Sequence, residues 1–183
     1  GDVTLDAIDS TTISATLVAA AASVGVSGSG ASGALTVTVS DADNDITNTT
    51  RAVIEGASTV ESTGGNLRLA ASSDGSITAT AVAASVGVGV GGGQVSLTGA
   101  GAGANATSAI TNTIEAGVIG DSAVVVDGDA AISATDSASV DSSVATASVA
   151  VTAGSSTVSL SLAAAVSVAT NTKANDVQAH VLD

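Results

Sequence analysis

Hydrophobic and polar residues alternate along most of this chain. In Leu35–Val39 the aliphatic residues take the odd positions and threonines the even ones. In Ile110–Val118 every second position holds Ile, Asn, Ile, Ala and Val in turn. A period of two is the pattern of a β-strand, whose successive side chains point to opposite faces. The alternation therefore predicts an all-β protein.

The predicted strands belong to a unit that occurs three times. Its openings align at Gly1, Gly65 and Gly128, with offsets of 64 (65 − 1) and 63 (128 − 65) residues. A motif Asn-x-x-x-Ala-x-(Ile/Val) recurs at the same offsets. A fixed spacing of this size is typical of solenoids. We predict repeat 1 at 1–64, repeat 2 at 65–127 and a truncated repeat 3 at 128–183, in one continuous array that further copies extend at both ends.

Two further blocks align less regularly between the copies. One starts at Ser23, Ser85 and Ser148, and the other at Leu35, Val95 and Val158; the first copy differs from the others in spacing by even numbers of residues. An even shift leaves every side chain of a strand on its own face, whereas an odd shift would reverse them. This parity favours strands containing paired insertions.

Each repeat is predicted to contain four strand segments. In the first copy these are Val3–Ala7, Thr12–Val26, Leu35–Ile54 and Ser58–Val60, with a Gly-rich loop between the second and third. Two parallel β-solenoids fit this division: one wide coil per repeat, or three ordinary rungs of roughly 21 residues each. Small residues on both faces of the long segments favour the wide, flat coil.

The composition supports flat, closely stacked sheets. The chain has no Trp, Tyr, Phe, Met, Cys or Pro, 21 Gly, and 45% hydrophobic residues, most of them Ala and Val. Without aromatic side chains to fill irregular space, backbones must approach closely, and Ala, Gly, Val and Ser form the interfaces. High hydrophobicity argues against disorder. The most apolar runs are short and lack flanking Lys or Arg, so we expect no membrane span.

The charge balance and the scarcity of reactive groups exclude several functions. The chain has seventeen acidic residues and only three basic ones, which gives a net charge of −14. This charge disfavours nucleic acid and anionic membranes as partners. The absence of Cys excludes disulfides and thiolate metal sites. His180 is the single histidine, and no serine has an evident base. We expect no catalytic residues and no enzymatic activity.

Three asparagines at equivalent positions are the clearest candidate site. Asn48, Asn112 and Asn175 share a strand face with apolar residues. A buried amide without a partner would cost about 1–3 kcal/mol. If the three side chains stack, each amide can donate to the next carbonyl and fix the register of the coils. We predict a structural Asn ladder.

Carboxylates and hydroxyls suggest two binding alternatives. Asp41, Asp43 and Asp45 alternate as in Ca²⁺ loops, but they lack the Gly and the distal Glu of an EF-hand, so a solvated acidic turn is favoured over a Ca²⁺ site. Hydroxyls alternate with aliphatics at Thr36/Ser96/Ser159 and Thr38/Thr98/Ser161. Exposed, such rows would resemble an ice-binding face; ordinary hydroxyl ladders within a sheet are the favoured interpretation.

The chain resembles a known group of proteins. The Asn-x-Ile-x-Ala-x-Val core at Asn112–Val118, the Ser-Val-Gly-Val block and the Ala/Ser/Val/Gly composition resemble repeat regions of giant secreted bacterial surface proteins, the filamentous haemagglutinin-like and leukotoxin-like adhesins. The resemblance implies a β-solenoid shaft at the cell surface, used for adhesion or for building an extracellular filament. Implied partners are further copies of the same repeat or chain and a host or neighbouring cell surface. The alternative is a repeat module that binds Ca²⁺, glycan or ice.

Overall fold

The computed structural model describes residues 1–182, which form fourteen β-strands and no helix. The first coil contains β1 (Val3–Asp9), β2 (Thr12–Ser27), β3 (Ala31–Ile46), β4 (Thr49–Ile54) and β5 (Thr59–Ser62). The second contains β6 (Leu67–Ser73), β7 (Ser76–Gly91), β8 (Val95–Ile110), β9 (Thr113–Ile119) and β10 (Ala123–Val126). The third contains β11 (Ala130–Asp136), β12 (Ser139–Gly154), β13 (Val158–Lys173) and β14 (Asp176–Leu182).

Equivalent strands of successive coils pair in parallel and build five sheets. We call them sheet A (β1-β6-β11), sheet B (β2-β7-β12), sheet C (β3-β8-β13), sheet D (β4-β9-β14) and sheet E (β5-β10). Val3 lies beside Leu67, and Leu67 beside Ala130, so one coil takes 64 residues and the next 63. The predicted parallel β-solenoid is confirmed, and each repeat is one wide coil. None of the described residues forms a helix long and apolar enough to cross a bilayer.

The register overturns part of the sequence alignment. Ser23 lies beside Gly87 and not Ser85, and Leu35 lies beside Gly99 and not Val95. The offset between the first two coils is a constant 64 in sheets B and C, so the inferred insertions do not exist. In a sequence this rich in alternating Ser, Val and Gly, a slip of two or four residues matches similar residues again. The error in the alignment was an even number of residues, so each residue was still assigned to the correct face of its strand.

Sheets B and C form a long thin blade. Their strands have 16 residues each, about 50 Å at 3.3 Å per residue. Short Gly- and Ser-containing loops at 28–30, 92–94 and 155–157 join them at one end, which we call the tip. Toward the tip, the interior between them is filled by Ala, Gly, Ser and Thr; nearer the base it also holds Leu17 and Val144. At Gly87, an added Cβ would lie 2.8 Å from the carbonyl oxygen of Gly99 in the opposite sheet.

Sheets A, D and E close the other end of each coil, which we call the base. This end holds the larger aliphatic core, where Leu67, Leu69 and Ile114 are fully buried together with Ala71 and Ala116. A second cluster of Ile46, Ile77 and Ile110 lies where the base meets the blade. The base is therefore the part of the coil with an ordinary hydrophobic core.

The hydroxyls of sheet C point into the blade and the aliphatic residues point out. Thr36 lies beside Ala100 and not Ser96, so the predicted rows are wrong in register by four residues in the first coil. Thr36 and Thr98 are buried, whereas Leu35 is 76% exposed. Thr36 Oγ1 donates to the carbonyl oxygen of Val86 at 3.2 Å, and Thr38 Oγ1 donates to that of Ala84 at 3.1 Å. Toward the tip the interior holds no Leu or Val, and short hydroxyls can bond to the facing backbone there. An exposed hydroxyl face at these positions is therefore wrong; Ser159 and Ser161 are exposed because β13 belongs to the last described coil.

Candidate functional site

The three predicted asparagines occupy the same corner of successive coils, where sheet C ends and sheet D begins. The third segment was predicted to run unbroken to Ile54, but β3 ends at Ile46 and β4 starts at Thr49, so Asn48 lies in the break. Asn48 N–H donates to Asn112 Oδ1 at 3.0 Å, and Asn112 N–H donates to Asn175 Oδ1 at 2.9 Å. The side chains do stack, but each carbonyl accepts from a backbone amide instead of from the next side chain.

The side-chain amide groups of the same asparagines reach the end of sheet A. Asn48 Nδ2 donates to Asp9 Oδ2 at 2.9 Å and to Thr11 Oγ1 at 2.8 Å. Asn112 Nδ2 donates to Ser73 Oγ at 3.0 Å, and Ser73 is the register partner of Asp9. Asn48 and Asn112 thus each connect their own coil across the corner and the next coil along the axis.

Two carboxylates beside this corner have lowered pKa values. Burial alone would raise the pKa of Asp136, but hydrogen bonds from Lys173 and Asn175 outweigh it and lower the pKa below 3.8. Lys173 Nζ lies 2.6 Å from Asp136 Oδ2. The Asn175 amide nitrogen has no partner with full hydrogen-bond geometry among residues 1–182, so its effect on Asp136 is that of a nearby dipole. Asp9 behaves alike: hydrogen bonds from Asn48, Thr11 and Ser73 outweigh burial and lower its pKa.

The predicted acidic turn is part of a strand. Asp41, Asp43 and Asp45 lie within β3 with their side chains outward, and alternate residues of a strand are about 7 Å apart. Asn105 Nδ2 of the next coil donates to Asp41 Oδ1 at 2.9 Å. Within the described residues, no three His, Cys, Asp or Glu side chains lie close enough to hold a metal ion. Ca²⁺ binding stays a prediction, and the structure does not bring these three carboxylates together around one point.

The few cations of residues 1–182 are all engaged in ion pairs at the base. Arg51 Nε lies 2.6 Å from Glu115 Oε2 in the next coil, and the carboxylates of Glu115 and Glu55 raise the pKa of Arg51. Arg68 lies 3.2 Å from Asp6. The Arg68–Asp6 pair is largely exposed and contributes little to stability. His180, 3.3 Å from Glu115, joins the same row without forming a catalytic arrangement.

Charge is confined to the base and the adjoining third of the blade. No Asp, Glu, Lys or Arg occurs in residues 10–40, 75–114 or 142–172, which include the tip of all three coils. The outward faces there are aliphatic on both sheets: Val18 and Val24 on sheet B and Leu35 and Val37 on sheet C are 65–76% exposed. The sequence analysis missed this surface, although the three uncharged stretches were a visible signal. This surface is the largest unexplained feature of the molecule.

Comparison with known proteins identified no relative of this chain. No family model, curated protein or solved structure matches the chain. Function must be inferred from the chain's own residues.

Proposed function

We propose that this chain is a shaft segment of an extracellular adhesin or filament-forming surface protein. The observation that carries the proposal is the uniform stacking: every strand of the second coil pairs with its equivalent one repeat earlier and, except in sheet E, one repeat later. A structure of this kind grows by adding coils, and its length is set by the number of coils.

The first and third coils form the two ends of the stack, and each end exposes strand edges that another coil could pair with. The strands β2 and β3 at one end and β12 and β13 at the other each have one row of backbone groups without a strand partner among residues 1–182. All of β13 is exposed, whereas the inward side of β8 is buried by its neighbours. Unpaired strand edges are templates for another strand. Further copies of the same repeat, in this chain or in another, would bury them.

The contacts between coils suit a stiff element. Long parallel ladders combine with the stacked asparagines, and small side chains leave thin, dry interiors that resist bending. Placement at a cell surface and a role in adhesion rest on the resemblance to filamentous bacterial adhesins and on the acidic composition. No catalytic, glycan, ice or metal site in the described residues supports a second candidate function.

Electron microscopy of the purified chain tests the shaft proposal. End-to-end stacking should give filaments wider than the roughly 50 Å of the blade alone, whose length rises with concentration, and fibre diffraction should show an axial spacing of about 4.8 Å. Ala165→Lys places a charge on the inward side of the exposed β13 and should shorten the filaments, while Ser155→Lys in the adjacent loop is the control. Discrete particles of one chain's height at every concentration would contradict the proposal.

A further inference from the structure

The outward side of sheet C near the tip carries an apolar surface that no other part of residues 1–182 covers. We call it the C face. Its nine large aliphatic residues are 44–76% exposed, on the order of 600 Å² of apolar area, which is at the upper limit for a monomer's largest patch. It consists of Ala31, Gly33, Leu35, Val37, Val39, Val95, Leu97, Gly99, Gly101, Gly103, Val158, Leu160, Leu162, Ala164 and Val166.

Along the C face, bulky residues precede small ones on β8, whereas small residues precede bulky ones on the neighbouring β3. On β8 the bulky Val95 and Leu97 come first and glycines follow at 99, 101 and 103. On β3 the small Ala31 and Gly33 come first and the bulky Val37 and Val39 follow. A hollow of about 440 Å³ results, lined by residues that include Gly33, Gly99, Leu35, Leu97 and Leu160.

This distribution makes the central strand β8 of the C face complementary to itself, whereas on the outer strands the same rotation brings Leu35 and Leu162 onto their own copies. Leu35 and Gly99 share one register position. A two-fold rotation about an axis through that position, parallel to the stacking direction, lays a second copy over the first with its strands reversed. Leu97 then faces Gly101 of the second copy, and Val95 faces its Gly103. On β3, Val37 faces Gly33 of the second copy. Every bulky residue of β8 meets a glycine.

We propose that a second copy of this chain packs on the C face in this antiparallel, two-fold arrangement. The apolar area suits it, since a stable interface buries about 800 Å² per partner. Sheets stacked face to face rotate by about 30°, so the central strand β8, at the crossing point, carries the closest contacts. The proposal concerns lateral pairing and stands apart from the stacking of coils along the shaft.

The distribution of charge selects the antiparallel orientation. The next outward residue of β3 after the C face is Asp41, and the same rotation places it over Ser29, in the uncharged tip loop of the second copy. The two acidic bases then lie at opposite ends of the pair. A parallel arrangement would bring the two bases, each part of a chain of net charge −14, side by side.

A lipid bilayer is the less suitable occupant. Before any further coil stacks on the chain, the outermost strands β3 and β13 have unpaired backbone groups on one side. In hydrocarbon these groups would have no hydrogen-bond partner, at several kcal/mol each. Against a second copy they stay at the rim of the interface, in contact with water.

Sedimentation equilibrium of a pair of variants tests the proposal. Gly101→Leu puts a second bulky residue opposite Leu97 of the partner copy, and we expect the dimer to weaken by about tenfold or more. Within one chain the change is tolerated, because a Cβ at Gly101 meets only Val37 Cγ2 at 3.8 Å and Thr36 O at 3.9 Å. The double variant Leu97→Gly/Gly101→Leu exchanges bulky and small, restores the complementarity and should restore the dimer.

A matched control uses the other outward face of the blade. Val86 on β7 is 41% exposed and lies on the central strand of sheet B, as Leu97 lies on that of sheet C. Val86→Asp should leave the dimer intact and Leu97→Asp should abolish it, with both variants keeping their circular dichroism spectrum. If end-to-end stacking interferes, all variants are measured with Ala165→Lys.

Several results would overturn the pairing. These are a chain that stays monomeric at all concentrations, a double variant as weak as Gly101→Leu, or a dimer dissociated by Val86→Asp alone. A monomer that floats with phosphatidylcholine vesicles in a density gradient would assign the C face to lipid instead.

Discussion

The buried asparagine of the middle coil offers the sharpest test of how the coils are held in register. Asn112 is almost fully buried. Its Oδ1 accepts the backbone N–H of Asn48 at 3.0 Å and its Nδ2 donates to Ser73 Oγ at 3.0 Å. Asn112→Ala removes both bonds and leaves the Asn48 amide proton without an acceptor in a partly buried place. Two lost hydrogen bonds at about 1 kcal/mol each, with the penalty for the unpaired donor, give a loss of about 2–4 kcal/mol.

Urea denaturation followed by circular dichroism near 218 nm measures this loss. With a slope of about 2 kcal/mol per molar urea, the midpoint should fall by about 1–2 M. Asn105→Ala is the matched control, because Asn105 also bonds to the neighbouring coil, at Asp41, but on the outward face. We expect it to change stability by no more than about 0.5 kcal/mol. Equal effects of the two substitutions would refute the argument that the buried corner sets the register.

Three other measurements test the interior, the base and the surface. Gly87→Val, whose Cβ would lie 2.8 Å from a backbone oxygen of sheet C, should lower stability by about 1–3 kcal/mol, whereas the outward Gly101→Val should lower it by less than about 1 kcal/mol; similar melting temperatures would contradict the thin interior. The folded-state pKa of Asp136 lies below 3.8, so the stabilisation by its carboxylate is complete above that value and is lost as the pH falls through the folded-state pKa. Asp136→Asn should therefore flatten the acid side of a plot of melting temperature against pH. An unchanged slope would contradict this role of Asp136. Since the three carboxylates of β3 are spaced about 7 Å apart along the strand, we expect Ca²⁺ and EDTA to leave the melting temperature unchanged. A rise with Ca²⁺ that is lost when all three are changed to Asn would show a site.

Some of the fold could be predicted because it depends on spacing alone. Alternation with a period of two identifies strands, and the recurrence of Asn48, Asn112 and Asn175 at offsets of 64 and 63 gives the length of one repeat. The asparagine could be aligned without error because Ala and Ile or Val follow it at the same spacing in all three copies. Ser-Val-Gly segments such as Ser23–Val26 could not, since a shift of two residues gives nearly the same sequence.

The candidate sites were harder to predict because they depend on direction. That Asp41 is on a strand and not in a turn follows from its pairing with Asn105, 64 residues away. The Oδ1 of Asn112 was expected to accept a side-chain amide, but the corner turns the backbone N–H of Asn48 toward it. Such geometry exists only once two coils are stacked.

The sequence by itself determined that this chain forms strands, how long each repeat is and which residues share a face. That one repeat is one wide coil, and not three shorter rungs, was decided by the strand pairing. It did not determine which face is inside. Alternation at Leu35–Val39 is equally compatible with Leu and Val inside or outside, and hydrophobicity alone would have placed them inside. The tertiary structure placed them outside, because glycines such as Gly87 bring sheets B and C so close toward the tip that only Ala, Gly, Ser and Thr lie between them there. Nearer the base the gap also holds Leu17 and Val144.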